Sequence, residues 1–205
     1  MYIQNKCCKT QVAEMKRGTL MPPKAKFTKQ EIIQAALDIV RQGGTQALTA
    51  RTLGARLGSS SRPIFTIFQS MEEVQQEVFQ AGKALYYQFI KEGMEQNATF
   101  LSLGMQYIRF ASSEPKLFQL LFMTEMESVP DVSSILNYVE AEYNEIFTAI
   151  KEEYGMDKQE AKRFYQHLWI YTHGIATLCV TKTCAFTEKV IEKMLYEVGE
   201  SLLSK

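Results

Sequence analysis

Residues 48–74 read LTARTLGARLGSSSRPIFTIFQSMEEV, and this stretch decides the fold. Its first half predicts a short helix that begins after Thr49, whose side-chain oxygen can cap the free N–H groups of the first turn. Leu53 and Leu57 are four residues apart and therefore share one helical face. Gly58 follows at the point where a left-handed C-cap favours a residue without Cβ.

The second half of the stretch predicts a second short helix and the start of a third. Ser60 is expected to cap the second helix, and Pro63 lies in its first turn, where a missing N–H costs little. The residues expected to face inward are Ile64, Ile67 and Phe68. Ser70 and Glu73 have the spacing of a capping box. Two helices joined by a glycine turn form the helix-turn-helix pattern, whose second helix lies in the DNA major groove. Two packed helices that bind nothing remain the alternative.

The charge distribution favours the nucleic-acid interpretation. Residues 1–70 contain 11 Lys and Arg against 3 Asp and Glu, whereas residues 71–205 contain 12 against 20. The two parts therefore carry net charges of +8 and −8, although the whole chain is neutral. A basic N-terminal part suits a surface that faces phosphate, and the acidic remainder would be repelled by it.

The composition and motifs restrict the other classes of protein to which the chain could belong. No apolar run approaches the roughly 18 to 20 residues that span a bilayer, so we expect a cytoplasmic protein with no membrane partner. The four cysteines (Cys7, Cys8, Cys179 and Cys184) have neither metal-ligand nor secretory spacing. No nucleophile elbow, phosphate loop or paired-carboxylate motif is present. We therefore predict that the chain is not an enzyme and that it needs no cofactor or metal.

Periodicity along the chain predicts an all-α protein of about nine helices. Residues 1–24 show no apolar period and are expected to form a disordered basic arm. A capping box at Thr28 and Glu31 opens the first helix, and residues 25–70 then form a three-helix helix-turn-helix domain. Residues 71–205 form a second helical domain. Its predicted helices cover residues 71–93, 99–111, a short segment from 115, 132–154, one long helix after Asp157, and 188–203.

This order of parts resembles the DNA-binding domain of TetR-type (tetracycline-repressor-like) transcriptional regulators. The resemblance is specific over residues 27–75, and the rest matches in architecture alone. Trp169, His173 and Gly174 also resemble a WxxxHG element found in some members. The resemblance implies a homodimer on a palindromic double-stranded DNA operator and a ligand pocket in the C-terminal domain. Most members are repressors that a small molecule releases from DNA.

If the family's DNA-contacting positions are transferred to this sequence, the contacts come from both short helices. The corresponding residues are Thr49, Arg51, Ser60, Ser61, Arg62, Pro63, Phe65 and Thr66. Three positions depart from the family pattern, because Phe65 replaces a common tyrosine, Ile67 a histidine and Met71 a lysine. Each change removes a polar partner for the DNA backbone. We therefore expect the arm, with Lys24 and Lys26, to add phosphate contacts.

The second domain is rich in aromatic and methionine side chains that can line an adaptable pocket. The residues assigned to binding a small apolar or aromatic effector of unknown identity are Tyr86, Met105, Phe118, Phe122, Met126, Tyr138, Phe147, Trp169 and His173. Ordinary core packing is the alternative for each of them.

The last two helices are apolar over more than one face, which favours burial against a second copy of the chain. The expected function is that of a ligand-responsive, DNA-binding transcriptional repressor that acts as a homodimer. A small-molecule-binding helical protein with weakened DNA binding is the alternative.

Overall fold

The computed structural model describes residues 26–96, 99–125 and 154–204, and between the last two ranges residues 129, 131, 132, 134, 148, 151 and 152. These residues form seven α-helices, two short 3-10 helices and no strand, as the predicted all-α class requires. The α-helices are α1 (Lys29–Gly43), α2 (Ala50–Arg56), α3 (Met71–Gln96), α4 (Phe100–Ser113), α5 (Pro115–Phe122), α6 (Lys158–Val180) and α7 (Glu188–Leu203).

The predicted count of about nine helices stays a prediction. The segment expected to form a helix over 132–154 lies largely outside the described residues, as do residues 1–24 with Cys7 and Cys8. Apart from the second helix of the helix-turn-helix, the other helix starts and ends fall close to their predicted positions, and α3 extends three residues beyond the expected end at Gly93.

Side-chain caps determine where the helices begin. Thr28 accepts a hydrogen bond from the Glu31 N–H at 3.2 Å, and the Glu31 carboxylate accepts one from the Thr28 N–H at 2.7 Å. This capping box holds the pKa of Glu31 below its ordinary value, chiefly through the backbone bond. Asp157 and Glu160 form the predicted box at the start of α6. These local bonds satisfy N–H groups that have no partner inside the helix.

The capping box predicted at Ser70 forms only in part. The Ser70 hydroxyl oxygen accepts from the Glu73 N–H at 3.3 Å. The Glu73 carboxylate, however, accepts from the N–H of Gln69 at 2.6 Å instead of that of Ser70. The return bond therefore falls one residue earlier than the motif predicts.

The second helix of the helix-turn-helix is shorter than predicted. Residues 61–63 form turns, and only Ile64–Thr66 is helical, as a 3-10 helix without a side-chain cap. Its backbone bonds span three residues, from the Ile64 N–H to the Ser61 carbonyl and from the Thr66 N–H to the Pro63 carbonyl. β-Branched residues and phenylalanines dominate the segment and favour an α-helix weakly. The Thr66 hydroxyl also donates to the Pro63 carbonyl at 2.6 Å, which offers that oxygen a local alternative to an α-helical bond.

The inward face of this segment is as predicted. Ile64 and Phe68 are 0% and 1% exposed and pack in the same core as Leu53 of α2 and the apolar stripe of α1. Gly54 lets α2 approach segment 59–66 closely, because a Cβ there would lie 2.9 Å from the backbone carbon of Ser60. Gly58 has a φ of +61° and makes the left-handed turn between them, as predicted.

We call residues 26–70 the head and residues 71–204 the body. Helix α3 leaves the head within three residues of Phe68 and packs on α1 and α4. Helix α4 packs chiefly on α6, with α7 against both. Helix α5 contacts α1, α3, α4 and α6, so it connects the head directly to the centre of the body.

Candidate nucleic-acid interface and aromatic cluster

The head carries six Lys and Arg residues against two acidic ones. Four of the six cations already have partners in the fold, in the pairs Lys26–Ser59, Lys29–Glu77, Arg41–Glu114 and Arg56–Asp38. The two that remain are Arg51 and Arg62, which are exposed and form no ion pair with any residue that the structure describes. Both arginines are among the residues to which the family resemblance assigns DNA contacts.

The polar residues around these arginines differ in what they can offer a ligand. Ser60 and Thr66 are exposed, and Ser61 and Pro63 are partly buried. The Thr49 side chain is exposed but already caps α2, accepting from the Thr52 N–H at 3.1 Å. Segment 59–66 therefore presents hydroxyl groups and the Arg62 guanidinium, and the first turn of α2 presents the Arg51 guanidinium, neither of them paired with a described carboxylate.

Of the two predicted arm residues, the structure describes only Lys26. Its ammonium group donates to the Ser59 hydroxyl at 3.1 Å and lies 5.3 Å from the centre of the Phe27 ring. Ser59 was not among the predicted site residues, although its place beside Ser60 was a usable signal. Lys24 lies outside the described residues.

Phe65 projects from the same segment. Its side chain is 45% exposed, whereas Ile64 and Phe68 on either side are buried. The ring supplies apolar surface and no hydrogen-bond donor, so it cannot replace the phosphate-binding tyrosine of the family pattern.

Aromatic rings gather in the body, on helices α3 to α6. We call the following set the aromatic cluster: Tyr86, Tyr107, Phe110, Phe118, Phe122, Trp169 and His173. Tyr86 packs edge-on against Phe110 at 5.1 Å and Phe122 at 5.0 Å between ring centres. Edge-to-face pairs at such distances stabilise a core beyond simple area burial.

His173 is the polar centre of this cluster. Its Nδ1 atom lies 2.8 Å from the Tyr107 hydroxyl. A histidine on an apolar helix needs a hydrogen-bond partner, and this tyrosine provides it. The imidazole stacks on Trp169 at 5.3 Å and on Phe118 at 5.8 Å. Burial lowers the pKa of His173, so the ring is neutral at pH 7.

The predicted effector residues fall into three groups. Tyr86, Phe118, Phe122, Trp169 and His173 meet in the aromatic cluster. Met105 lines a groove of about 270 Å³ beside Gln106, Arg109, Glu188 and Glu192. The remaining three, Met126, Tyr138 and Phe147, lie outside the described residues.

Sequence analysis did not assign Tyr107 and Phe110 to the cluster. Both are nearly or fully buried and contact its rings. Their spacing of three residues on a single helix was the available signal.

Helices α6 and α7 leave large apolar side chains exposed. These are Ile170, Leu178, Val190 and Tyr196, with exposed fractions between 40% and 54%. Ile170, Gly174 and Leu178 follow each other at intervals of four on α6, and all three are exposed. None of the described helices combines the length and apolar character needed to cross a bilayer.

A family model described as "Tetracyclin repressor-like, C-terminal domain" matches residues 100–197. This match supports a TetR-type regulator. The match runs from the start of α4 into α7 and includes Tyr107, Trp169 and His173. No curated protein matches the chain. The family model thus covers the part of the chain for which the sequence alone gave only architecture, and a TetR-type C-terminal domain is typical of ligand-responsive transcriptional regulators.

Proposed function

We propose that this protein is a TetR-type transcriptional repressor that binds a two-fold symmetric DNA operator as a homodimer and dissociates when a small apolar or aromatic effector binds its body. The observation that carries the proposal is the state of the head's cations. Arg51 and Arg62 are the only cations of the head that lack a partner among the described residues. Arg62 lies within segment 59–66 among exposed hydroxyl residues, and Arg51 lies in the first turn of α2. Guanidinium groups held free on a polar surface suit phosphate.

The homodimer is supported by the exposed apolar side chains of α6 and α7. Exposed large hydrophobic residues on two neighbouring helices suit burial against a second copy. A four-helix interface would hold two heads with their segments 59–66 on one side. Two-fold symmetry of the protein then requires half-sites about one helical turn apart.

The effector site is proposed at the aromatic cluster and the neighbouring side chains of α3 to α6. Aromatic rings with one polar group are typical of sites for small apolar ligands. His173 and Trp169 are each partly exposed, so they can contact a molecule that enters from the side. Helix α5 carries Phe118 and Phe122 and also contacts α1, which gives an effector a short route to the head.

The proposal is tested by selecting bound sequences from random double-stranded DNA. We expect one two-fold symmetric site to be enriched. Arg62→Gln should weaken its binding and lower the magnitude of the slope of log K against log salt by about 0.9 for each phosphate that the arginine no longer neutralises. Arg163→Gln, which removes the same charge from an exposed position of α6, should change neither. Failure to enrich any sequence, or equal effects of the two substitutions, would contradict the proposal.

A small-molecule-binding protein with weakened DNA binding is the second candidate. It is favoured by one observation, since segment 59–66 holds only a three-residue 3-10 helix and Phe65 offers no donor. Selection without an enriched sequence, together with a change in Trp169 fluorescence on adding small aromatic compounds, would support it. Trp169 is the single tryptophan of the chain, so its emission reports on the aromatic cluster directly.

A further inference from the structure

Phe65 is the only large hydrophobic side chain that is exposed in residues 26–70. The head buries its other large apolar groups fully or in part, and the immediate neighbour Ile64 and, three residues on, Phe68 are fully buried. The ring is therefore not required by the head's core. An exposed phenylalanine at 45% suits contact with something outside the head.

The surroundings of Phe65 restrict what that contact can be. Arg62, one turn earlier, is exposed and forms no ion pair with any described residue, and Ser60 and Thr66 are exposed hydroxyl residues. Both acidic residues of the head are occupied elsewhere, Glu31 by Thr28 and Asp38 by Arg56. The ring therefore projects from a cationic, hydroxyl-rich surface that is complementary to DNA and repels a basic partner.

The DNA major groove presents one apolar group on its base edges, the 5-methyl group of thymine. We propose that Phe65 contacts a thymine methyl in each half-site and so determines a thymine at one fixed position of the operator. The inference rests on the proposed function and adds the base that this side chain recognises. Arg51 and Arg62 would supply affinity through phosphate, and Phe65 would supply specificity without charge.

This division of roles has a measurable consequence. Replacing thymine by uracil removes only the methyl group and leaves base pairing and charge unchanged. Burial of one methyl group is worth about 0.8 kcal/mol, which corresponds to about fourfold in affinity per half-site and about fifteenfold for both. The salt dependence of binding should stay the same, because the protein neutralises the same number of phosphates on both operators.

The experiment uses the full chain and the operator enriched from random DNA, with each thymine replaced by uracil in turn and in both half-sites together. We expect one symmetric position to cost about fifteenfold when both methyl groups are removed. Phe65→Ala should bind the thymine and uracil operators equally, and Phe65→Leu should keep part of the preference because it retains apolar surface. Tyr87→Ala, at a residue of α3 that is 47% exposed, is the matched control and should keep the full preference.

The outcomes separate the two proposals. Specific binding of an operator that loses less than twofold at every uracil would overturn the thymine contact and leave the proposed function standing. A uracil effect that persists in Phe65→Ala would also overturn it, because the methyl group would then be read by another residue. Selection that enriches no sequence would overturn both. Unchanged melting temperatures for the Phe65 variants show that the head still folds.

Discussion

Arg41 at the end of α1 and Glu114 at the junction of α4 and α5 form a two-pronged ion pair between the head and the body. The Arg41 Nε atom donates to Glu114 Oε2 at 2.9 Å, and the Nη2 atom donates to Oε1. The pair raises the pKa of Arg41, with the hydrogen bond to Glu114 as the main cause. Glu114 immediately precedes α5, whose Phe118 stacks on His173. One short helix therefore connects the aromatic cluster to α1.

The first prediction concerns the strength of this connection. A double-mutant cycle with Arg41→Met and Glu114→Gln should give a coupling free energy of unfolding of about 1 kcal/mol, since the pair is bidentate and only partly exposed. Urea denaturation followed by circular dichroism measures it. The Lys193–Glu197 pair, at 3.6 Å on an exposed face of α7, is the control cycle and should give about 0.3 kcal/mol. Equal coupling in the two cycles would show that Arg41 and Glu114 do not tie the head to the body.

Gly54 leads to the second prediction. A Cβ at this position would lie 2.9 Å from the Ser60 carbonyl carbon and 3.0 Å from the Ser61 nitrogen, and backbone cannot move aside as a side chain can. We expect Gly54→Ala to lower the free energy of unfolding by about 1 to 3 kcal/mol and to weaken operator binding, because segment 59–66 is displaced. Urea denaturation and gel shift measure the two effects.

Gly82 provides the matched control for this substitution. It is a helical glycine of α3 at which a new Cβ would meet Leu121 at an ordinary 3.6 Å. Gly82→Ala should stabilise the protein by about 0.5 to 1 kcal/mol, because alanine favours the helix. A Gly54→Ala variant as stable as Gly82→Ala would contradict the close approach of α2 and segment 59–66.

The sequence predicted those features that depend on neighbours along the chain. Caps at Thr28, Thr49 and Asp157 join residues two or three positions apart, so their residue types alone indicate the helix starts. The length of the helix over 60–68 was predicted wrongly. There a proline, two serines and three β-branched residues balance α-helix against turn, and the segment also packs closely on Gly54, which is distant along the chain.

Contacts between distant residues could not be predicted in the same way. Arg41 and Glu114 are 73 positions apart, and Tyr107 and His173 are 66 apart. Periodicity placed His173 on an apolar helix and indicated that it needs a polar partner. It could not choose among ten tyrosines, because the choice depends on how α4 packs on α6. The aromatic cluster could therefore be assigned in part, and its polar centre could not.

The third prediction is a loss of stability in mild acid. Burial lowers the pKa of His173, so below about pH 6.5 the unfolded chain binds a proton that the folded chain does not. The free energy of unfolding should then fall as the pH decreases from about 7.5 to about 5.5. His173→Gln should remove this part of the pH dependence, as urea denaturation at the two pH values will show.

His167 supplies the control, because it is the only other histidine and its side chain is exposed on the same helix. His167→Gln should leave the pH dependence of the wild type unchanged. Trp169 fluorescence gives a second measurement, since a protonated His173 stacked on the indole quenches its emission. Equal pH dependence in wild type and His173→Gln would contradict the assignment.

The fourth prediction concerns the proposed homodimer. Light scattering at micromolar concentration should give twice the mass of one chain, and Ile170→Asp with Leu178→Asp should give the monomer. Both side chains lie on the exposed apolar stripe of α6, where a buried carboxylate without a partner is costly. Tyr87→Asp, which introduces the same charge at an equally exposed residue of α3, should stay dimeric. A monomeric wild type would contradict both the interface and the two-fold symmetric operator.

The fifth prediction concerns the basic N-terminal arm. Lys26 bonds Ser59, so the chain enters the head directly beside the segment that we propose faces DNA. Residues 1–26 contain six Lys and Arg against a single acidic residue. If Lys24 and Lys26 each contact one phosphate, deleting residues 1–26 should lower the magnitude of the slope of log K against log salt by about 2. Arg163→Gln should leave that slope unchanged, because it removes a charge from the body. An unchanged slope after the deletion would mean that Arg51, Arg62 and helix N-termini hold the DNA backbone without the arm.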